Sequence, residues 1–114
     1  MPRFAEILAY VSARRDIPVA VLKSPMRTRQ VTHARQEVAY LAREMTKHSL
    51  PEIGRRIGRD HTTVLHSLRS VEKRMCDNSY RCEITNMQMG ILAFTENKFI
   101  RHGKPLFISR RSAQ

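Results

Sequence analysis

The sequence predicts an all-α protein, a compact helical domain built around a helix-turn-helix. Three observations carry that expectation. Apolar residues recur at three- and four-residue spacing in successive segments, the periodicity of helices with one buried face. Helix-start signals stand where two of these segments begin, at Ser49-Leu50-Pro51-Glu52 and at Asp60. Neither strand-like alternation nor an internal repeat appears. The chain of 114 residues is enough for one small domain. At 41% hydrophobic residues, with few aromatics and no Trp, its core should be built from Leu, Ile, Val, Met and Ala.

Phe4, Ile7, Leu8 and Val11 fall at i, i+3, i+4 and i+7, which predicts an amphipathic helix over residues 3–14. Asp16-Ile17-Pro18 reads as the start of a short helix ending at Leu22, before Pro25. Residues 23–31, KSPMRTRQV, form a basic loop. Thr32 is the expected cap of a helix over 33–46, with Ala34, Val38, Leu41, Ala42 and Met45 as its buried stripe. Ser49 and Glu52 form a capping box for the next helix, whose Leu50, Ile53 and Ile57 face inward. Gly58 supplies a turn, and Asp60 caps a helix over 61–76 with Val64, Leu65, Leu68, Val71 and Met75 buried. Tyr80, Ile84, Met87, Ile91 and Phe94 predict a last helix over 80–95. The domain is therefore expected over 1–95, followed by a basic, mobile tail over 96–114.

Charge narrows the partner. Lys and Arg number 21 against 10 Asp and Glu, giving a net charge of +11. That excess calls for a polyanion, either nucleic acid or an acidic surface; a basic surface without such a role is the plain alternative. No stretch approaches the roughly 18 apolar residues of a membrane span, and the N-terminus lacks a signal peptide's pattern. Cys76 and Cys82 fit neither a zinc spacing nor a disulfide framework, so a reduced cytoplasmic location is expected. His61 and His66 lack the i, i+4 spacing of a helical zinc site, and no metal or cofactor is expected. There is no paired-carboxylate site, no Cys–His arrangement and no phosphate loop, so the chain does not read as an enzyme. The methionines read as core filler.

The stretch Ser49–Arg69, SLPEIGRRIGRDHTTVLHSLR, combines the parts of a DNA-binding helix-turn-helix. Gly54 suits the helix crossing, Gly58 the turn, and Ile53, Ile57 and Val64 the apolar lock. The second helix would place Asp60, His61, Thr62 and Thr63 at base edges in the major groove. Thr methyls pack on thymine, and Asp accepts from cytosine N4. Thr62, His66, Arg69 and Lys73 form a polar stripe opposite the core.

The segment RDHTTVLH, with ARQ and SLPEIG upstream in the family's order, resembles the C-terminal DNA-binding domain (domain IV) of the bacterial replication initiator DnaA. The resemblance covers roughly residues 4–95 and is strongest over 33–75. It implies a helix-turn-helix of the Trp-repressor-like (TrpR-like) type, in a protein that recognises DnaA boxes as a monomer. It further implies that Arg27, or else Arg29, enters the minor groove. Asp60, His61 and Thr62 would read the major groove, with Pro51 against a thymine methyl. Arg35, Gln36, Arg43, Thr63, His66 and Arg69 would meet phosphates. The chain departs from the family pattern in three places. Only Gly58 precedes Arg59 where two glycines are usual. Pro25 and Met26 stand in a loop that is often basic. The ATPase phosphate loop is missing, so the resemblance implies a free-standing box binder without a motor.

The expected function is sequence-specific binding of double-stranded DNA at DnaA-box-like sites, regulating replication initiation or nearby transcription. The alternative is an adaptor that engages DnaA or another replication protein through its first or last helix. No stacking-aromatic RNA motif is present.

Overall fold

The computed structural model describes residues 2–99, with side chains through residue 94. Its described residues form helices α1 (Phe4–Arg15), α2 (Val19–Leu22), α3 (Arg29–Met45), α4 (Leu50–Ile57), α5 (His61–Arg74) and α6 (Asn78–Phe99), with no strand among them. The all-α expectation holds. Of the expected tail, residues 100–114 lie outside the described residues.

The local signals decide most boundaries. Glu6 accepts a hydrogen bond from the Arg3 backbone N–H at 2.9 Å and so closes the start of α1. Asp16, expected to open α2, instead ends α1 in the left-handed conformation at φ 59°. This is a position that Asp tolerates better than most residues. α3 begins earlier than expected. Thr28 caps it, accepting from the Val31 N–H at 3.4 Å, so Thr32 lies inside the helix and Arg29 is its first residue. Val31 then joins the buried stripe, which explains the gain: one more turn buries one more β-branched side chain.

Ser49 caps α4 by accepting from the Glu52 N–H at 3.4 Å, but the reciprocal half of the expected box is replaced. The Glu52 carboxylate pairs with Arg55 and Arg56 one turn on. Asp60 caps α5 through Oδ1, 3.2 Å from the Thr62 N–H. Asp77 caps α6 in the same way, 3.0 Å from the Ser79 N–H, so that helix starts two residues earlier than expected and runs on to Phe99.

α3 is the central element, in contact with α1, α2, α4 and α5, while α6 packs on α1. The core is Ile7, Val11, Leu22, Val38, Leu41, Ile53, Ile57, Val64, Val71, Ile84, Met87 and Ile91 with their neighbours. Leu65 and Leu68, expected in it, are only half-buried; Ser67 is buried between them. The small Ser67 side chain lets α5 lie close on α3, which turns both leucines to the flank. Phe94, expected on the buried stripe of the last helix, is 46% exposed.

One polar cluster ties the helices together. Glu37 is 2% exposed and accepts from Arg15 Nε (2.8 Å), Arg15 Nη2 (2.7 Å) and the Tyr80 hydroxyl (2.7 Å). Arg15 also reaches Glu83 at 2.7 Å, and the Arg74 guanidinium lies 5.1 Å over the Tyr80 ring. A carboxylate buried to this degree is tolerable only when fully paired, and here it joins α1, α3 and α6. Burial first, and the hydrogen bond to Glu37 second, push the Tyr80 phenol up to about 12.

Candidate nucleic-acid interface

The helix-turn-helix is α4, a three-residue connection and α5. Gly58 takes φ 72°, where a side chain would be strained, and Arg59 N–H returns to the Gly54 carbonyl at 2.8 Å. Gly54 faces the Arg59–Asp60 backbone so closely that a Cβ there would collide with the Arg59 carbonyl oxygen. A single glycine therefore completes the turn, and the second one usual in this pattern is not needed to close it.

The turn leaves the start of α5 exposed. His61, Thr62, Thr63, His66, Arg69 and Lys73 all face solvent, as the stripe required. Asp60 uses Oδ1 on its own helix, and its other oxygen has no protein partner among the described residues. Pro51 is exposed in the first turn of α4.

A cleft of about 360 Å³ lies beside this helix, lined by Arg27, Thr32, Arg35, Gln36, Ile57, Arg59, Thr63, His66 and Ser67. Three arginines and no carboxylate line it. The cleft brings the loop arginine Arg27 next to the first turns of the second helix, joining segments that lie far apart in sequence. Arg29 is not part of it. Its charge acts instead on His33, whose imidazole is pulled below its ordinary value by burial, then by Arg74 and Arg29. Arg43 and Arg69 are exposed outside the cleft and make no hydrogen bond or ion pair among the described residues.

Two residues expected at phosphates are engaged within the protein. Gln36 Oε1 accepts from Arg74 Nη1 at 2.9 Å. Arg35 is 6% exposed, and its guanidinium donates to the carbonyls of Leu22, Ser24 and Met26 at 2.8–3.0 Å. Burial, then the neighbouring Arg59 charge, lowers its affinity for its proton. Its side chain is thus turned into the loop, because that loop has carbonyls with no helical partner to satisfy them. Sequence reasoning gave no role to Arg59 or Arg74. Arg59 was marked only by standing next to Asp60, and Arg74 by nothing local.

Comparison with known proteins agrees with the helix-turn-helix. The family described as the bacterial dnaA protein helix-turn-helix matches residues 4–71. The chromosomal replication initiator protein DnaA of Bartonella quintana (strain Toulouse) is 48% identical over 77 residues, 67% of this chain and 16% of that protein. DnaA of Brucella abortus biovar 1 is 49% identical over 71 residues, 61% of this chain and 14% of that protein. DnaA of Streptococcus thermophilus is 43% identical over 75 residues, 64% of this chain and 16% of its own length. The chain thus matches only about one sixth of the length of these relatives.

Proposed function

The chain belongs to the bacterial DnaA helix-turn-helix family, and from that membership we propose that it binds double-stranded DNA at DnaA-box-like sites. Its role is regulation of replication initiation, or of transcription near such sites, through occupancy of the DNA. The supporting observation is the carboxylate-free cleft that sets Arg27 beside the exposed first turns of α5.

α5 enters the major groove by its N-terminus. Thr62 and His61 meet base edges, and the free Asp60 oxygen accepts from a cytosine amine. Pro51 packs on a thymine methyl. Arg27 enters the adjacent minor groove, where a narrow A·T tract attracts a guanidinium. Arg43, Arg69, Thr63 and His66 meet phosphates, as does Gln36 through its amide N–H while its oxygen stays on Arg74, and these contacts fix the register without reading sequence. The protein acts on its site as a monomer, and every one of these roles is binding rather than catalysis.

Fluorescence anisotropy on a boxed duplex and a scrambled one tests this reading. Thr62→Ala should cost about 1–3 kcal/mol on the box and little on scrambled DNA. Equal losses on both would sink base reading by Thr62. A second reading, an adaptor for DnaA or another replication protein, draws on Met89, Leu92 and Phe94, exposed along α6. A pull-down after nuclease digestion separates the two: partner capture that survives the digestion favours the adaptor.

A further inference from the structure

The loop that carries Arg27 is held by two other arginines. Residues 23–28 lie between α2 and α3 and have few backbone bonds of their own, chiefly Ser24 N–H to Val21 O at 3.0 Å. Arg35 fills that gap from below. Its Nε donates to Leu22 O at 2.8 Å, and its Nη2 donates to Ser24 O at 2.9 Å and Met26 O at 3.0 Å, with Val21 O at 3.4 Å. Arg59 arrives from the helix-turn-helix, with Nη2 2.9 Å from the same Ser24 carbonyl and Nη1 3.0 Å from Gly58 O. One carbonyl oxygen thus accepts from both guanidiniums, and the loop is tied at once to α3 and to the turn before α5.

We infer that Arg35 and Arg59 form a clamp that holds Arg27 in register with α5, acting as positioning residues that set how selectively the minor groove is read. This rests on the proposed minor-groove role of Arg27. A guanidinium suits the task because its donors are fixed in one plane and can span several carbonyls, whereas an ammonium is a point charge. Burying one arginine beside another is electrostatically unfavourable. The four carbonyls it satisfies offset that cost and leave the loop in one conformation. Register matters because an arginine and a helix reading adjacent grooves must fit one duplex together, and a side chain displaced by about 1 Å loses most of its effect.

The test is a double-mutant cycle on the full chain, read by anisotropy on a boxed duplex, with thermal melts as a folding control. Arg27→Ala should weaken binding roughly tenfold, and Arg59→Ala should do about the same. The double variant should be within about twofold of Arg27→Ala alone, because a clamp has no value once its cargo is gone. Losses that multiply to about a hundredfold would show that Arg59 touches DNA itself and would overturn the clamp. A costly Arg27→Ala beside a silent Arg59→Ala would overturn the clamp alone. A silent Arg27→Ala would overturn the minor-groove reading, and the clamp with it. Arg35→Lys adds a second arm. The clamp predicts that it binds as poorly as Arg35→Ala, whereas retained affinity would mean that its charge alone counts. If the Arg35 variants do not fold, the Arg27–Arg59 cycle decides.

Discussion

Replacing Gly54 with Ala tests the closest contact in the helix-turn-helix. In an open α-helix this change stabilises by about 0.8–1.0 kcal/mol, because Ala is the better helix former. Here the added Cβ points into the Arg59–Asp60 backbone, with the Arg59 and Asp60 carbonyl carbons at 3.4 Å and the Arg59 oxygen closer still. A backbone carbonyl cannot rotate out of the way as a side chain can. The Arg59 N–H to Gly54 O bond of 2.8 Å ties the same two segments, so they cannot part without stretching it. Overpacking of this kind costs about 1–3 kcal/mol, and a backbone clash belongs at the upper end. After the helix-propensity gain, a net loss of about 2 kcal/mol remains. That corresponds to a fall in Tm of about 8–16 °C for a domain of this size. Gly58→Ala is the control. Its φ of 72° brings strain, but among the described residues a Cβ would meet only the Lys23 carbonyl, at 3.8 Å. It should therefore cost only about 1–2 kcal/mol. Melts followed by circular dichroism measure both. An unchanged or raised Tm for Gly54→Ala would refute the close crossing, because propensity alone would then have decided the outcome.

Glu37→Ala should destabilise by about 3–5 kcal/mol, since it leaves Arg15 and the Tyr80 hydroxyl without their shared acceptor; a urea-denaturation shift below about 1 kcal/mol would contradict that role. His33 contributes a pH dependence. Its folded value is lowered, so the unfolded chain takes up the proton first; its contribution is complete above the ordinary value and is lost as pH falls below about 6.5. Tm should drop between neutral and mildly acidic pH, and His33→Gln should flatten that slope; an identical slope in the variant would exclude His33 as its source. Tyr80 behaves oppositely. Its raised value means stability is complete below about 10 and is lost as pH rises through about 12, so an ultraviolet titration should show Tyr80 as the latest phenol, beside a raised Tyr40, and that latest step should disappear in Tyr80→Phe. The salt dependence of DNA binding should have a log–log slope of about −3.6, counting the cations Arg27 in the groove and Arg43, Arg69 and the α5-stripe Lys73 along the backbone and leaving out the internally engaged Arg35; a slope near zero would refute electrostatic contact by these groups.

The helices were readable because their signals are local. Ser49 and Asp60 cap where a Ser and an Asp before an apolar periodic run should cap. The exposed stripe on α5 follows from spacing alone. What stayed hidden depended on partners distant in sequence. Nothing near Thr28 distinguishes it from Thr32 as the cap; the choice falls to the burial of Val31 against other helices. Arg35 could not be assigned to the loop carbonyls without knowing that the loop folds back over α3. Glu37 lies on the same helix face as Ala34, Val38 and Leu41, but a carboxylate is not expected in an apolar stripe, and its burial was not anticipated. Its partners, Arg15 and Tyr80, lie 22 and 43 residues away and were not visible either.

The match to the family's helix-turn-helix ends at residue 71, yet the packing does not. Ile84, Met87 and Ile91 on α6 are fully buried, and Gly90 comes so near Tyr10 of α1 that a Cβ would strike its ring. Burying three such side chains contributes about 5–9 kcal/mol, comparable with the whole stability of a typical domain. The matched helix-turn-helix segment is thus shorter than the packed unit. A graft of residues 4–71 alone into another protein would carry the helix-turn-helix but expose the apolar flank of α1. It would travel as an adhesive fragment unless the host supplied a replacement for α6.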